Sequence, residues 1–242
     1  MSGEQLDLQS NEKVNRFNQI IKFAKSIIEV TEENQKRENS VPLTHPLIDV
    51  IRLIGRDLQT KYLTQLLFKN AQSSLPSFLP ETILFSRSNF RLATGGKTFD
   101  NFKTPVTMTK EIHLGRDLVL PWPQHRTRLI NCISTIGTGR LHGSWKQDFS
   151  NHVVELWLPQ GIVWVKRGNH SIATGMIQCS GILIPDYIYD ISRIYDCVYC
   201  DGKNFISKQN DTIDIIIAPV ENVEFAAIFE IGRLMRDKSI SF

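Results

Sequence analysis

Between Gly161 and Pro185 the chain reads GIVWVKRGNHSIATGMIQCSGILIP, and no other stretch restricts the possible folds as much. The apolar run Ile162 to Val165 has the length of a buried strand. It ends in Lys166-Arg167-Gly168-Asn169-His170-Ser171, ahead of a short helix-compatible piece from Ile172 to Met176. A glycine-containing break and a second apolar run, Ile182 to Ile184, follow. Strand, tight polar turn and helix start, in that order, gather backbone N–H groups and a basic side chain around one point. Gly168 can take φ > 0 and let backbone approach a ligand. Asn169 tolerates the same left-handed geometry. Ser171 reads as the N-cap of a helix beginning at Ile172. His170 is then presented at a helix N-terminus, where an anion would sit, and Arg167 adds a bidentate phosphate donor just before the turn.

The rest of the chain supplies the surroundings of this elbow. Residues 1 to about 10 are expected to be a disordered lead-in. Phe17, Ile21, Ala24 and Ile28 recur at helical spacing and predict an amphipathic helix from Val14 to Val30, with the charged TEENQKRENS stretch as its end and a loop. A second helix is predicted with Thr44 as N-cap and a stripe of Leu47, Ile51, Ile54, Leu58, Leu63 and Leu67. These two make an N-terminal helical hairpin over residues 1–75. Residues 76–113 read as an irregular connection with one short strand at Ile83 to Phe85. From residue 114 to 242 helical and strand patterns interleave, so the fold class is α+β, a helical hairpin followed by a mixed α/β domain. Within it, His125 to Ile136 is a helix stopped by Gly137 and Gly139. Val153 to Leu158 and Ile162 to Val165 are strands joined at Pro159-Gln160-Gly161, and Pro185 to Tyr195 is expected to be helical. Asp201-Gly202 is a hairpin turn between Val198–Cys200 and Asn204–Ile206. An isoleucine-rich strand, Asp214 to Val220, leads into a closing helix whose face is Phe225, Ile228, Phe229, Gly232 and Met235.

Several chemistries are weakened by spacing alone. Cys197-Val-Tyr-Cys200 has the C-x-x-C form, yet a zinc ribbon needs a second pair, and residues three apart on a strand face opposite ways. Packing is the better account of both thiols. None of the six histidines forms a helical zinc pair, and no D-x-D or E-x-K cluster stands near the elbow, so no metal site is expected. No cofactor is named by any motif. Four cysteines make no disulfide scaffold, no apolar run of about 18 residues predicts a membrane span, and the polar, acidic start is unlike a signal peptide. The expected setting is cytoplasmic. A net charge of +3 permits contact with a nucleotide or nucleic acid without arguing for it.

The apolar strand, then Arg167-Gly168-Asn169-His170-Ser171, then a small-residue helix with Ala173 and Gly175, resembles the ParB/sulfiredoxin-like fold over about residues 118–220. It suggests a bacterial group outside chromosome segregation. The resemblance implies a domain whose strand–glycine–helix elbow holds phosphates of a nucleotide or nucleic acid, with possible phosphodiester or nucleotide hydrolysis. It places Arg140, His142 and Lys146 on the first phosphate-side loop and Asn151-His152 just before the strand that pairs with the central one. By that layout Arg167, Gly168, Asn169, Ser171, Arg140, His142 and His152 bind the ligand, and His170 is the candidate general acid or base. The chain departs from the family in two places. His170 and Ser171 stand where paired arginines follow the glycine, and Gly137 to His142 lacks the family's glutamine loop. Two alternatives stay open. One is a non-catalytic interaction module docking a protein partner, or itself, through the N-terminal helices, with Leu47, Ile51 and Ile54 as the face. The other is a small-molecule transferase using the same helix N-terminus.

Overall fold

In the computed structural model, which describes residues 3–38, 42–68, 75, 87–209 and 213–242, the first apolar stripe does form the buried side of a helix. Phe17, Ala24 and Ile28 of α1 (Gly3–Glu38) are inside the core, with Ile21 packed on its margin. The helix is longer than expected at both ends. Residues 3–10 are helical rather than a disordered lead-in, and the charged stretch after Val30 continues the helix to Glu38. It holds no Gly or Pro, its Glu, Gln, Lys and Arg are good helix formers, and Thr31 Oγ1 donates back to the Ile27 carbonyl at 2.6 Å. In α2 (Leu47–Phe68) the cap is His45 rather than Thr44: Nδ1 of its ring accepts the Leu47 N–H at 3.1 Å.

The buried seam of α2 also differs from the apolar stripe. It runs Leu47, Ile51, Gly55, Gln59, Tyr62, Leu66, while Leu67 is 63% exposed. Gly55 lies on the seam because a Cβ there would overlap Leu118. Gln59 Nε2 donates to the Pro121 carbonyl at 2.5 Å and the Tyr62 hydroxyl to that of Pro123 at 3.3 Å. Polar and small residues thus carry the contact that an apolar count passes over. Leu47 and Ile51 are buried within the chain itself, so they offer no free docking face.

The expected strand at Ile83 to Phe85 lies outside the described residues. A short α3 (Arg87–Ala93) follows it, and then the pieces of the main sheet begin. They are β1 (Thr104–Pro105), β3 (Leu118–Leu120), β4 (Val153–Leu158), β5 (Ile162–Arg167) and β7 (Tyr187–Asp190), in the order β1-β7-β4-β5-β3. A separate two-stranded ladder pairs β2 (Ile112–His113) with β6 (Ile182–Leu183). The β4–β5 hairpin is antiparallel, with Leu156 opposite Val163, and each partner outside it is parallel: β3 on β5, β7 on β4. Both faces of the sheet are covered, which explains the continuous apolar run in β5. Ile162 and Trp164 face one cluster with Trp157, Leu118 and Leu120; Val163 and Val165 face another with Val154, Leu156 and Ile172.

Two helices flank the end of β5. They are α4 (Arg126–Thr135), close to its expected bounds, and α5 (Asn169–Ile177), and they pack on each other. The stretch Pro185 to Tyr195 is not a helix. Its first part is β7, and a 3-10 turn follows over Ser192–Asp196. Exposed Tyr187, buried Ile188 and half-buried Tyr189 alternate as a strand requires. The chain then forms an antiparallel sheet of β8 (Val198–Cys200), β9 (Asn204–Gln209) and β10 (Ile213–Pro219). Its Asp201-Gly202 turn is as expected: Gly202 has φ 88° and Asp201 Oδ1 accepts the N–H groups of Lys203 and Asn204. The closing helix α6 (Val223–Asp237) is capped by Asn222 and buries all five face residues named from the sequence. It packs against α1 and α2. One apolar cluster contains Phe17, Leu47, Trp157, Trp164 and Phe229, so the helical pair and the mixed sheet share a core. The fold is α+β, with about 48% helix and 20% strand.

Candidate functional site

The elbow after β5 is built around Gly168, at φ 85° and ψ 18°. A Cβ there would overlap His152 Cδ2 and stand 3.3 Å from the Asn151 carbonyl, so backbone conformation and space both require glycine. Because Gly168 itself is the N-cap, α5 begins at Asn169 and Ser171 lies inside its first turn. Ser171 is therefore not the cap; its carbonyl accepts Trp145 Nε1–H at 2.8 Å. The first intrahelical bond runs from Ile172 N–H to the Gly168 carbonyl at 3.0 Å, and among the described residues no side chain caps the N–H groups ahead of it.

Two of those first-turn residues reach across to the segment before α4. Asn169 Oδ1 accepts the Trp122 N–H at 2.7 Å, and His170 Nε2 accepts the His125 N–H at 3.2 Å. His125 is the N-cap residue of α4, again with no side-chain cap bond. Its ring lies parallel to that of His170, centroids 6.1 Å apart. Two uncapped helix N-termini are thereby fastened side by side. Neither has an acidic residue in its first turn, and α4 carries Arg126 and Arg128 there instead. The positive ends of both macrodipoles are left unneutralised.

Both N-termini open onto a cleft of about 860 Å³. Its walls include Arg128, Asn131, Asn151, Lys166, Arg167 and the first turn of α5, with no Asp or Glu among the described lining residues. Arg128 and Arg167 make no ion pair among the described residues. Lys166 Nζ lies 3.5 Å from Oε1 of Glu155, a β4 carboxylate outside the cleft lining whose Oε2 is 3.5 Å from Lys103 Nζ. Burial, then the charge of Arg128 and the neighbouring His125, push the His170 imidazole down to about 4. At neutral pH it is uncharged, and its Nε2 lone pair is already taken by backbone.

The expected site therefore divides. Arg167, Gly168, Asn169, His170 and Ser171 meet in the cleft, while Arg140, His142 and His152 do not. Arg140 Nη1 donates to the Ile133 and Ile136 carbonyls at 2.5 and 2.8 Å, capping the C-terminal end of α4 rather than lining the cleft. His142 is exposed at that same end, its N–H bonded to the Thr135 carbonyl. His152 is buried behind the elbow: Nδ1 accepts the Asp148 N–H at 2.9 Å, the ring stacks on Trp145, and burial lowers its pKa. His170 lies in the cleft, with its Nε2 accepting the His125 N–H and its pKa lowered to about 4, first by burial. It is a positioning residue that ties α5 to the start of α4. Arg128 and Asn131 are cleft residues that the sequence reading does not name for the site, and Asn151 enters it only by its place before β4. Arg128 had a visible signal, an arginine in a helix first turn that lacks any acid, where helices ordinarily favour the opposite charge.

Away from the cleft, the C-x-x-C thiols pack as expected. Cys200 is buried and its thiol is pushed up to about 12, while Cys197 Sγ–H donates to the Ile194 carbonyl at 3.5 Å. Among the described residues no group of three or more His, Cys, Asp or Glu is placed to hold a metal ion. No described helix is long and apolar enough to cross a membrane.

Residues 4–242 match the model of a family described as a family of unknown function (DUF6710), and the chain belongs to that family. No curated protein and no solved structure matches it.

Proposed function

We propose that this member of the DUF6710 family binds a phosphate-bearing ligand, a nucleotide or a nucleic acid, in the cleft between α4 and α5. One observation carries the reading: two uncapped helix N-termini open onto a cleft walled by Arg128, Lys166 and Arg167, with no carboxylate among its described lining residues. Orphan N–H groups and aligned dipoles favour an anion at such a point, and guanidinium groups bind phosphate in bidentate fashion. In this reading the elbow acts as in ParB/sulfiredoxin-like domains. Arg128, delivered from α4, supplies charge that the family places after its glycine, where this chain has His170 and Ser171. Binding rather than hydrolysis is proposed, because the His170 Nε2 lone pair is engaged by the His125 N–H. Four free cysteines support the cytoplasmic setting.

Thermal shift with pyrophosphate and nucleoside triphosphates tests the reading. A ligand at about 100 times its Kd stabilises by about 2.7 kcal/mol, a rise of roughly 5–10 °C for a chain of this size. Arg128→Gln and Arg167→Gln each remove a charge-assisted contact of about 1.5–3 kcal/mol, weakening binding about 10- to 100-fold. No shift with any of these ligands, or shifts that survive both substitutions, would sink the proposal.

A further inference from the structure

Charge is spread unevenly along this chain. Residues 121–184 supply α4, the β4–β5 hairpin, α5 and the loops around the cleft. They hold six of the 28 Lys and Arg but only two of the 25 Asp and Glu, leaving 22 and 23 for the other 178 residues. The whole positive excess of the molecule therefore sits on this one segment. Of its two acids, Glu155 is spent internally between Lys103 and Lys166, so Asp148 is the one exposed acid there. The excess also extends beyond what the cleft needs. Lys146 is exposed on the loop that leads into Asn151 of the cleft wall, and Arg140 is exposed at the other end of α4.

The same loop exposes large apolar side chains. Phe149 is 69% exposed, two residues before Asn151, and Leu141 is 81% exposed beside Arg140. Basic residues interleaved with an exposed aromatic ring are what a single strand requires. The cations follow its phosphates, and the ring offers a face to an unpaired base. A lone nucleotide would engage the cleft and leave Lys146 and Phe149 without a partner. A duplex keeps its bases stacked inside and would leave Phe149 idle.

We infer that the ligand is a single-stranded nucleic acid, with one phosphate seated between Arg128 and Arg167 and the strand continuing over the loop that carries Lys146 and Phe149. The inference rests on the phosphate-cleft reading above. It goes further in assigning a polymer rather than a nucleotide, and in giving the 137–151 loop a part in binding.

Fluorescence anisotropy on the full chain tests it. The probes are labelled DNA and RNA oligonucleotides of about 12 nucleotides, the matching duplex, and ATP as competitor. At least one single strand should bind about tenfold more tightly than ATP. Its log K should fall with log salt at a slope of about −2 for the three cleft cations, or about −3 with Lys146 included, between roughly 50 and 200 mM salt. Lys146→Gln with Phe149→Ala, both at exposed positions, should weaken the oligonucleotide about tenfold and leave ATP within about twofold. Arg128→Gln with Arg167→Gln should weaken both. If ATP binds as tightly as the strand and the loop substitutions change nothing, the single-strand inference falls while the cleft reading stands. A duplex that binds as tightly as the single strand overturns the inference as well. Failure of ATP and of every oligonucleotide to bind removes the cleft reading and this inference together.

Discussion

Gly168→Ala isolates what the elbow costs to build. Two separate penalties apply. Holding a non-glycine residue at φ 85° costs about 1–2 kcal/mol. The new Cβ also meets His152 Cδ2, and that ring has little room to give. Its Nδ1 is bonded to the Asp148 N–H, and its face stacks on Trp145 at 5.2 Å. Overpacking a fixed neighbour of this kind costs about 1–3 kcal/mol, for a total of about 2–5. Gly143 separates the two penalties. It has φ 68°, and nothing lies within 4 Å of where its Cβ would stand. Gly143→Ala should therefore show the backbone penalty alone. Urea unfolding reads both: with a slope of about 3 kcal/mol/M, a loss of about 3 kcal/mol lowers the midpoint by about 1 M. In a His152→Ala background the cost of Gly168→Ala should drop toward that of Gly143→Ala. Equal losses at Gly168 and Gly143, or no coupling between Gly168 and His152, would refute the steric half of the reasoning.

The remaining predictions concern charge inside the fold. His170 has a folded pKa near 4 against an ordinary 6.5, so the unfolded chain takes up its proton first as pH falls. The associated stability is complete above pH 6.5 and is lost between there and about 4. The full shift corresponds to about 3 kcal/mol, cut to about 1–2 for a half-exposed ring. A His170→Ala profile of unfolding free energy should be flatter over that window, and an unchanged slope contradicts the assignment. Asp117 has a fully buried carboxylate; burial alone would raise its pKa, but bonds from Arg116, the His113 N–H and Arg52 reverse this and hold it below the usual range. Its contribution is present above pH 3.8 and is lost as pH falls through the lower folded value. Arg52→Ala removes the 2.6 Å partner and should cost about 2–4 kcal/mol, with Arg116 compensating in part; a loss below about 1 kcal/mol in urea would show the pair to be dispensable.

Much of the fold is legible in the sequence wherever one periodicity acts alone. The α6 face, the Asp201-Gly202 hairpin and the β4–β5 pair each follow from local rules, because each element buries the side that its own pattern marks. Legibility fails where a neighbour decides. Pro185 to Tyr195 has enough apolar residues for a helix, but β4 offers an open edge and the alternation from Tyr187 to Asp190 pairs with it. In α2 the seam passes through Gly55, Gln59 and Tyr62, whose reasons for burial are Leu118, Pro121 and Pro123, more than fifty residues away.

The candidate site divides along the same line. Residues contiguous with the elbow, from Arg167 to Ser171, are found from sequence because one turn brings them together. Arg140, His142 and His152 were assigned by their order along the chain, and order does not specify which end of α4 a loop returns to. Arg140 turns back onto the helix that precedes it, since the last carbonyls of α4 need donors and its guanidinium is within reach. Arg128 shows the converse. An arginine in the first turn of a helix opposes the macrodipole, and nothing within α4 compensates it. The arrangement places one more positive group where two N-termini already meet, so a bound anion would relieve an electrostatic cost that the free fold bears. That predicts a specific coupling: Arg128→Gln should weaken phosphate binding and at the same time make the unliganded protein slightly more stable, by about 0.3–1 kcal/mol. A substitution that lowered both affinity and stability would mean that Arg128 serves the fold rather than a ligand.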